Sequence, residues 1–307
     1  VVIFFSSLIS IAYHFGIIQI VVKWVAKLME KSMKTSGAET LSISANIFVG
    51  QTEAPILIRP YIKNMTTSEL MAIMTGGFAT VAGSVLALYV LWLEKIPGIA
   101  GHMLAASIMS APASLVIAKL IYPETEKTNS LDELDLHIEK NTANAMDALG
   151  NGATQGLKLA ANIGAMLIAF ISILSMINFT LEHFLNINLQ EILGIIFSPL
   201  AWTMGIPWKE ANIVGRLMGE KIVLTELIAY GSLGDLINNN LISERSAIIS
   251  SYALCGFANF GSIGIQLGGI GAMAPEKRNI LSKIVLKAMV GGALASWLTA
   301  TIAGILI

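Results

Sequence analysis

Long apolar runs separated by short polar segments are the feature that most constrains the fold of this chain. A helix needs about 20 consecutive apolar residues to cross the hydrocarbon core of a bilayer. Runs of roughly this length lie at residues 1–22, 70–93, 98–121, 157–180, 245–272 and 284–307. The sequence therefore predicts an all-α, polytopic membrane protein with six full spans.

Composition excludes several other classes of protein. Charged residues make up 13% of the 307 residues, about half of their share in soluble domains, and the mean hydropathy is +0.72. A formal net charge of −1 argues against nucleic acid as a partner. Small solutes and membrane lipid are the expected partners, and the single Cys255 allows no internal disulfide.

Two shorter apolar stretches, residues 37–63 and 208–238, each contain a glycine and a glutamate near the middle. An acidic side chain at the centre of a spanning helix costs about 2.5–3.5 kcal/mol, so such a residue indicates a site for substrate, ion or proton. Paired broken segments in two halves of a chain are typical of transporters, in which re-entrant hairpins line a central cavity. We therefore interpret both stretches as hairpins.

The two halves carry the same signals in the same order, which indicates an internal duplication. Each half has an Ala-Asn-Ile tripeptide, a glutamate, a Ser-Glu pair and a glycine-rich segment. These stand at 45–47, Glu53, 68–69 and 77–85 in the first half, and at 211–213, Glu226, 243–244 and 256–263 in the second. Each copy is predicted to contain a hairpin, a broken span and a span.

Lysine and arginine residues predict that the two copies are inverted. They cluster after the first run, at the end of the first hairpin and before the last run, and by the positive-inside rule these places face the cytoplasm. The hairpins then enter the membrane from opposite sides. We expect a scaffold span and interfacial helix in 1–36, the first repeat in 37–121, an interfacial helix, a scaffold span and an external helix in 122–204, and the second repeat in 205–307. The two interfacial helices are predicted from amphipathic patterns at residues 19–34 and 131–152.

Two motifs carry a family resemblance. Gly50-Gln51-Thr52-Glu53-Ala54-Pro55, with Asn46 four residues earlier, and the segment 255–264 (CGFANFGSIG) resemble the signatures of concentrative nucleoside transporters. The resemblance covers nearly the whole chain. It implies a cation-coupled nucleoside symporter, usually a homotrimer, in the bacterial inner membrane, and it implies that N-terminal helices peripheral to transport are missing from this chain.

The resemblance also assigns residues to the nucleoside. The nucleobase is expected to lie near Gln51, Thr52, Glu53 and Val85, and the ribose near Glu226, Phe257, Asn259 and Ser262. The chemistry of the side chains fits this division, because an amide offers a donor and an acceptor to a pyrimidine edge, and a carboxylate accepts from vicinal hydroxyls. A pyrimidine nucleoside such as uridine is the favoured substrate.

Sodium is the expected coupling ion. By the resemblance, Asn46 and Thr80 supply side-chain oxygens, and Val49 and Val81 supply backbone carbonyls. Carbonyls are freed where a hairpin tip or a helix break interrupts the hydrogen bonds of a helix. Proton-coupled relatives tend to lack the amide at Asn46, so sodium is favoured, and a proton-coupled symporter is the alternative.

Two other classes of function remain as alternatives. An intramembrane enzyme would need a nucleophile with a base, or a His-Glu-x-x-His pair, and neither broken region contains histidine. A passive channel would not need two acidic hairpins that close on one site. We therefore predict no enzyme activity and no catalytic residue.

Overall fold

The computed structural model describes residues 2–126 and 142–307, and the regular elements in these residues are all helical. This confirms the predicted all-α fold class. The α-helices are α1 (Val2–His14), α2 (Ile17–Met33), α3 (Gly37–Asn46), α4 (Arg59–Ile62), α5 (Thr67–Ala79), α6 (Gly83–Trp92), α7 (Ile99–Ile121), α8 (Ala145–Leu185), α9 (Leu189–Thr203), α10 (Trp208–Val223), α11 (Glu226–Asn238), α12 (Glu244–Leu254), α13 (Phe260–Met273) and α14 (Arg278–Leu306). Two 3-10 helices, Ala54–Ile58 and Pro275–Lys277, precede α4 and α14.

Several helices have the length and composition of membrane spans. Within the described residues these are Thr67–Trp92, Ile99–Ile121 and Pro275–Leu306, and the segments Ser175–Leu185 and Leu189–Thr203 qualify together although they are bent by 88°. The helices Ile3–His14 and Phe260–Met273 are apolar but shorter. A polytopic membrane protein is consistent with this set, but the prediction of six full spans is too simple.

Three of the predicted spans are interrupted, and the run 70–93 is one of them, because residues 80–82 divide it into α5 and α6. The run 1–22 forms α1 and the start of α2, because the chain turns at Gly16, whose φ of +78° suits glycine. The run 245–272 is divided into α12 and α13 by residues 255–259. Hydropathy indicates which residues are apolar, but it does not indicate where the backbone leaves the helix.

The scaffold part contains α1, α2 and α8. Helix α2 has the amphipathic pattern predicted for residues 19–34, with a buried face of Val22, Ala26 and Met29 and exposed lysines between them. Helix α1 packs closely along α8, where a Cβ on Gly156 would lie 2.7 Å from the Ile3 Cα. Helix α8 has 41 residues and is about 60 Å long at 1.5 Å per residue.

The predicted surface helix at 131–152 differs from the structure in its second part. Residues 131–141 lie outside the described residues. Residues 145–152 are not a separate helix but the first turns of α8, which continues without interruption to Leu185. An Asn144 cap starts this helix by accepting a hydrogen bond from the Asp147 N–H at 3.0 Å.

The same order of elements occurs in both halves of the chain. The first hairpin (residues 37–62) is followed by α5, a first break at residues 80–82 and α6. The second hairpin (residues 208–238) is followed by α12, a second break at residues 255–259 and α13. Capping also corresponds, because Thr66 with Glu69 forms a capping box at α5 and Ser243 caps α12.

Glycines let these elements approach closely. A Cβ on Gly76 of α5 would lie 2.7 Å from Ile43 Cγ1 of the first hairpin, and a Cβ on Gly292 of α14 would overlap Phe78 of α5. The glycine pairs 76–77 and 291–292 are therefore close helix contacts. This packing brings both breaks to the middle of the molecule.

Candidate substrate and cation site

The two hairpin tips and the two breaks surround a cavity of about 220 Å³. Its walls contain all the residues that the sequence assigned to the nucleoside, namely Gln51, Thr52, Glu53, Val85, Glu226, Phe257, Asn259 and Ser262. Further wall residues are Gly50, Ala82, Ser84, Tyr89, Thr225, Leu227 and Ile265. Both halves of the chain contribute, so the cavity exists only when the two repeats pack together.

A larger cleft of about 310 Å³ lies between the end of α6 and α11. Its walls include Trp92, Glu94 and Asp235, but none of the predicted site residues. The smaller cavity is the better candidate, because it combines enclosure by apolar groups with convergent polar side chains.

Glu226 is held from two sides at the second hairpin tip. The Tyr89 hydroxyl donates to its Oε1 at 3.3 Å, and the Asn259 Nδ2 donates to its Oε2 at 2.8 Å. Glu226 is the first residue of α11, where the helix dipole favours a negative charge. Each carboxylate oxygen retains a lone pair for a further donor, such as a sugar hydroxyl.

The backbone of α13 determines the orientation of the Asn259 amide. Asn259 is the N-cap of α13, and its Oδ1 accepts from the Ser262 N–H at 2.8 Å. Because the oxygen is committed to the cap, the Nδ2 group turns toward Glu226. The second break thus presents an oriented amide and the Ser262 hydroxyl to one region of the cavity.

The Gln51 amide at the first hairpin tip is oriented by Gln266. The Gln266 Nε2 donates to the Met74 carbonyl and to the Gln51 Oε1, both at 3.0 Å. A carbonyl can only accept, so the Gln266 nitrogen must face Met74, and Gln51 must therefore turn its oxygen toward Gln266. The Gln51 Nε2 then donates to the Ser262 Oγ at 3.3 Å. This bond joins the two halves of the site.

Sequence reasoning missed Tyr89 and Gln266. The Tyr89 ring stacks on Tyr230 with a centroid distance of 4.1 Å, which fixes its hydroxyl beside Glu226. Both residues had a signal in the sequence, because Tyr89 follows Val85 and Gln266 follows Ser262 by four residues. That spacing places two side chains on the same face of a helix.

Asn46 is the last residue of α3 and is fully buried, yet neither its Oδ1 nor its Nδ2 has a hydrogen-bond partner in the described residues. A buried, unpartnered amide costs about 1–3 kcal/mol. Buried polar groups normally have a partner, so this side chain calls for an explanation such as an ion.

Open oxygens lie on the same tip and on the first break. In the described residues, the carbonyls of Val49 and Val81 accept no hydrogen bond. The Thr80 hydroxyl donates to the Gly76 carbonyl at 2.9 Å, which leaves its own oxygen able to accept. The Gly83 N–H donates to the Phe48 carbonyl at 3.1 Å and joins the tip to the break. This all-oxygen set fits a small hard cation.

Comparisons with known proteins identify the family of this chain. Residues 102–304 match a family model described as "Na+ dependent nucleoside transporter C-terminus", and residues 1–95 match one described as "Nucleoside recognition". A nucleoside permease (NupC) of Helicobacter pylori is 42% identical over 100% of this chain and 74% of its own length. Sodium/nucleoside cotransporter 1 of Mus musculus is 41% identical over 100% of this chain and 50% of its own length.

Solved structures give the same result. CNTnw in an inward-facing substrate-bound state has a TM-score of 0.93 and 43% identity, and the match covers 99% of this chain and 73% of that chain. These relatives are transporters, which confirms the prediction of a transporter over an enzyme. The matches span both repeats, so they support the whole described architecture. The chain therefore belongs to the concentrative nucleoside transporter family.

Proposed function

We propose that this protein is a sodium-driven symporter that carries nucleosides, with pyrimidine nucleosides such as uridine favoured, across the bacterial inner membrane. The base lies against the first hairpin tip at Gln51, Thr52 and Glu53, with Val85 opposite. The ribose hydroxyls donate to Glu226, with Phe257, Asn259 and Ser262 beside it. Sodium and nucleoside are both cargo.

The unpartnered Asn46 amide is the observation that carries the sodium assignment. It lies on the hairpin whose tip also lines the cavity, so a cation held there would order the same loop that meets the base. A ligand that orders part of a site lowers the entropic cost for the second ligand, and the two then bind cooperatively. The binding site of the coupling ion thus shares the first hairpin with the substrate site.

Alternating access and a homotrimer with one pathway per protomer complete the proposal. Solved structures with the same fold include one in an outward-facing state, with a TM-score of 0.91, and one of an intermediate 1 state, with a TM-score of 0.92. We expect the hairpins and broken helices of this protein to move together against the scaffold helices α1, α2 and α8. The trimer rests on the family resemblance.

A counterflow assay in proteoliposomes tests the proposal. Vesicles loaded with unlabelled uridine are placed in labelled uridine, with an inward sodium gradient, an inward proton gradient or neither. We expect exchange without a gradient and accumulation above equilibrium only with sodium. Accumulation driven by the proton gradient alone would transfer the coupling role from sodium to protons. Equilibration without exchange or accumulation would indicate a passive channel.

A further inference from the structure

Lys221 is a fully buried lysine in α10 of the second hairpin, and it does not line the cavity. Its Nζ donates to the Ala253 carbonyl at 3.0 Å, the Cys255 carbonyl at 3.1 Å and the Ser296 Oγ at 3.2 Å. An ammonium group has three donors and no acceptor, so each of its protons has a partner. A charge in this place needs such complete pairing.

The acceptors belong to the second break. Helix α12 ends at Leu254 with Cys255 as its C-cap, so its last carbonyls lack partners within the helix. The Ser296 hydroxyl also contacts the Cys255 carbonyl and lies 3.1 Å from the Gly292 carbonyl. Lys221 and Ser296 therefore form hydrogen bonds with backbone carbonyls at the C-terminal end of α12. The negative end of the helix dipole lies there, and it favours a cation.

The corresponding point of the first repeat has different chemistry. Helix α5 ends at Ala79 with Thr80 as its C-cap, in the same position as Cys255 after α12. The unpartnered Asn46 amide and the open carbonyls of Val49 and Val81 occur there. At the second break the chain itself supplies a cation, whereas at the first break it supplies candidate oxygen ligands for one.

The second break contacts the end of α5, directly before the first break. Gly256 in the second break has a φ of +112°, and a Cβ on it would lie 2.6 Å from the Phe78 carbonyl oxygen and 2.7 Å from the Ala79 carbonyl carbon. The backbone just after the lysine-bound carbonyl thus rests on the end of α5. Phe257, Asn259 and Ser262 follow directly and form the ribose side of the cavity.

We propose that the Lys221 ammonium occupies, in the second repeat, the place that a sodium ion from solution occupies in the first repeat. By binding the carbonyls at the end of α12, Lys221 also positions the ribose-binding segment after the second break. Only the first break then requires an ion from solution. This inference deepens the proposed function and rests on it, because it predicts that one sodium ion accompanies each nucleoside.

The test is the sodium dependence of uridine binding to the purified protein, measured by titration calorimetry. Below saturation, the slope of the logarithm of affinity against the logarithm of sodium concentration counts the ions taken up with the nucleoside. Lys221→Asn replaces the ammonium with an amide oxygen and leaves space for an ion. Lys221→Met removes the charge but keeps the length. Lys209→Asn is the matched control, because Lys209 lies on the same helix with its side chain 80% exposed.

We expect a slope of about one for the wild type and for Lys209→Asn, and a slope of about two for Lys221→Asn, because a second ion replaces the ammonium. Lys221→Met should bind uridine at least about tenfold more weakly at every sodium concentration, since the freed carbonyls lose their partner. A slope of one in Lys221→Asn, or equal behaviour of both variants at Lys221, would overturn the proposal.

Ser296→Ala provides a milder change for which loss of folding is not expected. It removes one acceptor of the Lys221 ammonium, and we expect a roughly three- to tenfold loss of uridine affinity with the slope unchanged. A smaller loss for 2′,3′-dideoxyuridine would support positioning of the ribose side, and no loss for uridine would contradict it. A wild-type slope of zero would instead refute sodium coupling, while the comparison of Lys221→Met with wild type would still test Lys221.

Discussion

The first and second breaks occupy the same place in the two repeats, but different groups surround them. At the second break, Lys221 donates to the Ala253 and Cys255 carbonyls at the end of α12. At the first break, the buried Asn46 amide has no partner in the described part of the chain. The two repeats thus share the course of the backbone, but their side chains differ at the breaks. The second break is bound by a lysine of the chain, and the first break offers oxygen atoms that could bind an ion.

The tips of the two hairpins also differ in length and in how much irregular backbone they contain. The second hairpin changes from α10 to α11 through Leu224 and Thr225, so Glu226 lies directly at a helix N-terminus. In the first hairpin, residues 47–53 separate α3 from a 3-10 helix that contains Pro55. A longer irregular tip exposes more backbone carbonyls. The first hairpin is therefore suited to base and ion, and the second to a fixed carboxylate.

The strongest test of this difference is Asn46→Leu. Loss of the amide oxygen should abolish the effect of sodium and lower nucleoside affinity in sodium by the coupling factor, typically about 5–150-fold. The measurement compares uridine affinity in saturating sodium with that in choline. Asn212→Leu is the control, because Asn212 is the counterpart of Asn46 in the repeat. Its Oδ1 already accepts a hydrogen bond from the Arg216 Nε at 3.0 Å. An equal loss of sodium dependence in Asn212→Leu would contradict the assignment of sodium binding to the first repeat alone.

Glu226→Gln should have the next largest effect. Hydrogen bonds to a charged group contribute about 1.5–3 kcal/mol, so uridine binding should weaken by that amount, and binding of 2′,3′-dideoxyuridine should weaken less. Competition against labelled uridine measures both ligands. Glu53→Gln, on the base side, should lower the affinity of the two ligands equally. Equal losses in Glu226→Gln would show that this carboxylate does not bind the ribose hydroxyls.

Substitutions at Gln51 and Ser262 should separate base recognition from sugar recognition. Gln51→Ala should reorder the preference among nucleosides by about 0.5–1.5 kcal/mol, because one hydrogen bond to the base is lost. Thr52→Ala should act in the same direction. Ser262→Ala should lower affinity for ribosides without changing the order of bases. An unchanged uridine-to-adenosine ratio in a folded Gln51→Ala protein would mean that the first hairpin does not read the base.

Tyr89→Phe should have the smallest effect. It keeps the ring that stacks on Tyr230 and removes only the 3.3 Å bond to Glu226, so we expect a loss of about 0.5–1 kcal/mol in uridine affinity. Tyr230→Phe is the control, since its hydroxyl donates to the Ser251 carbonyl at 2.6 Å and not to Glu226. Thermal stability of both variants separates a loss of packing from a loss of binding. A larger loss in Tyr230→Phe would contradict the role given to Tyr89.

Much of the candidate site could be predicted because most of its residues stand in two short motifs, with Val85 and Glu226 outside them. Every residue assigned to the nucleoside from the sequence lines one cavity. The cap at the start of α5 is also local, because the Glu69 Oε2 accepts from the Thr66 N–H at 2.8 Å. These features depend on residues close in sequence, and local patterns report such features well.

Helix ends and positioning residues could not be predicted in the same way. The one charged residue of the apolar run 245–272 is Arg245 at its start, so no charge marks the break after Leu254. Gln266 reads as one polar residue in an apolar helix, and only its contacts with Met74 and Gln51 explain it. Such partners are about 190 residues or more apart along the chain, so no local pattern connects them.

The sequence by itself determined the class of protein, the duplication and the chemistry available at the site, because hydropathy, charge placement and motifs are properties of neighbouring residues. Tertiary structure alone decided which oxygens are satisfied and which are open. Lys221 and Asn46 each stand among several other polar residues of their hairpins, and the sequence does not distinguish them from those neighbours. Lys221 donates to two carbonyls at the end of α12, whereas Asn46 has no partner in the described residues, and this difference arises only when the helices pack against one another.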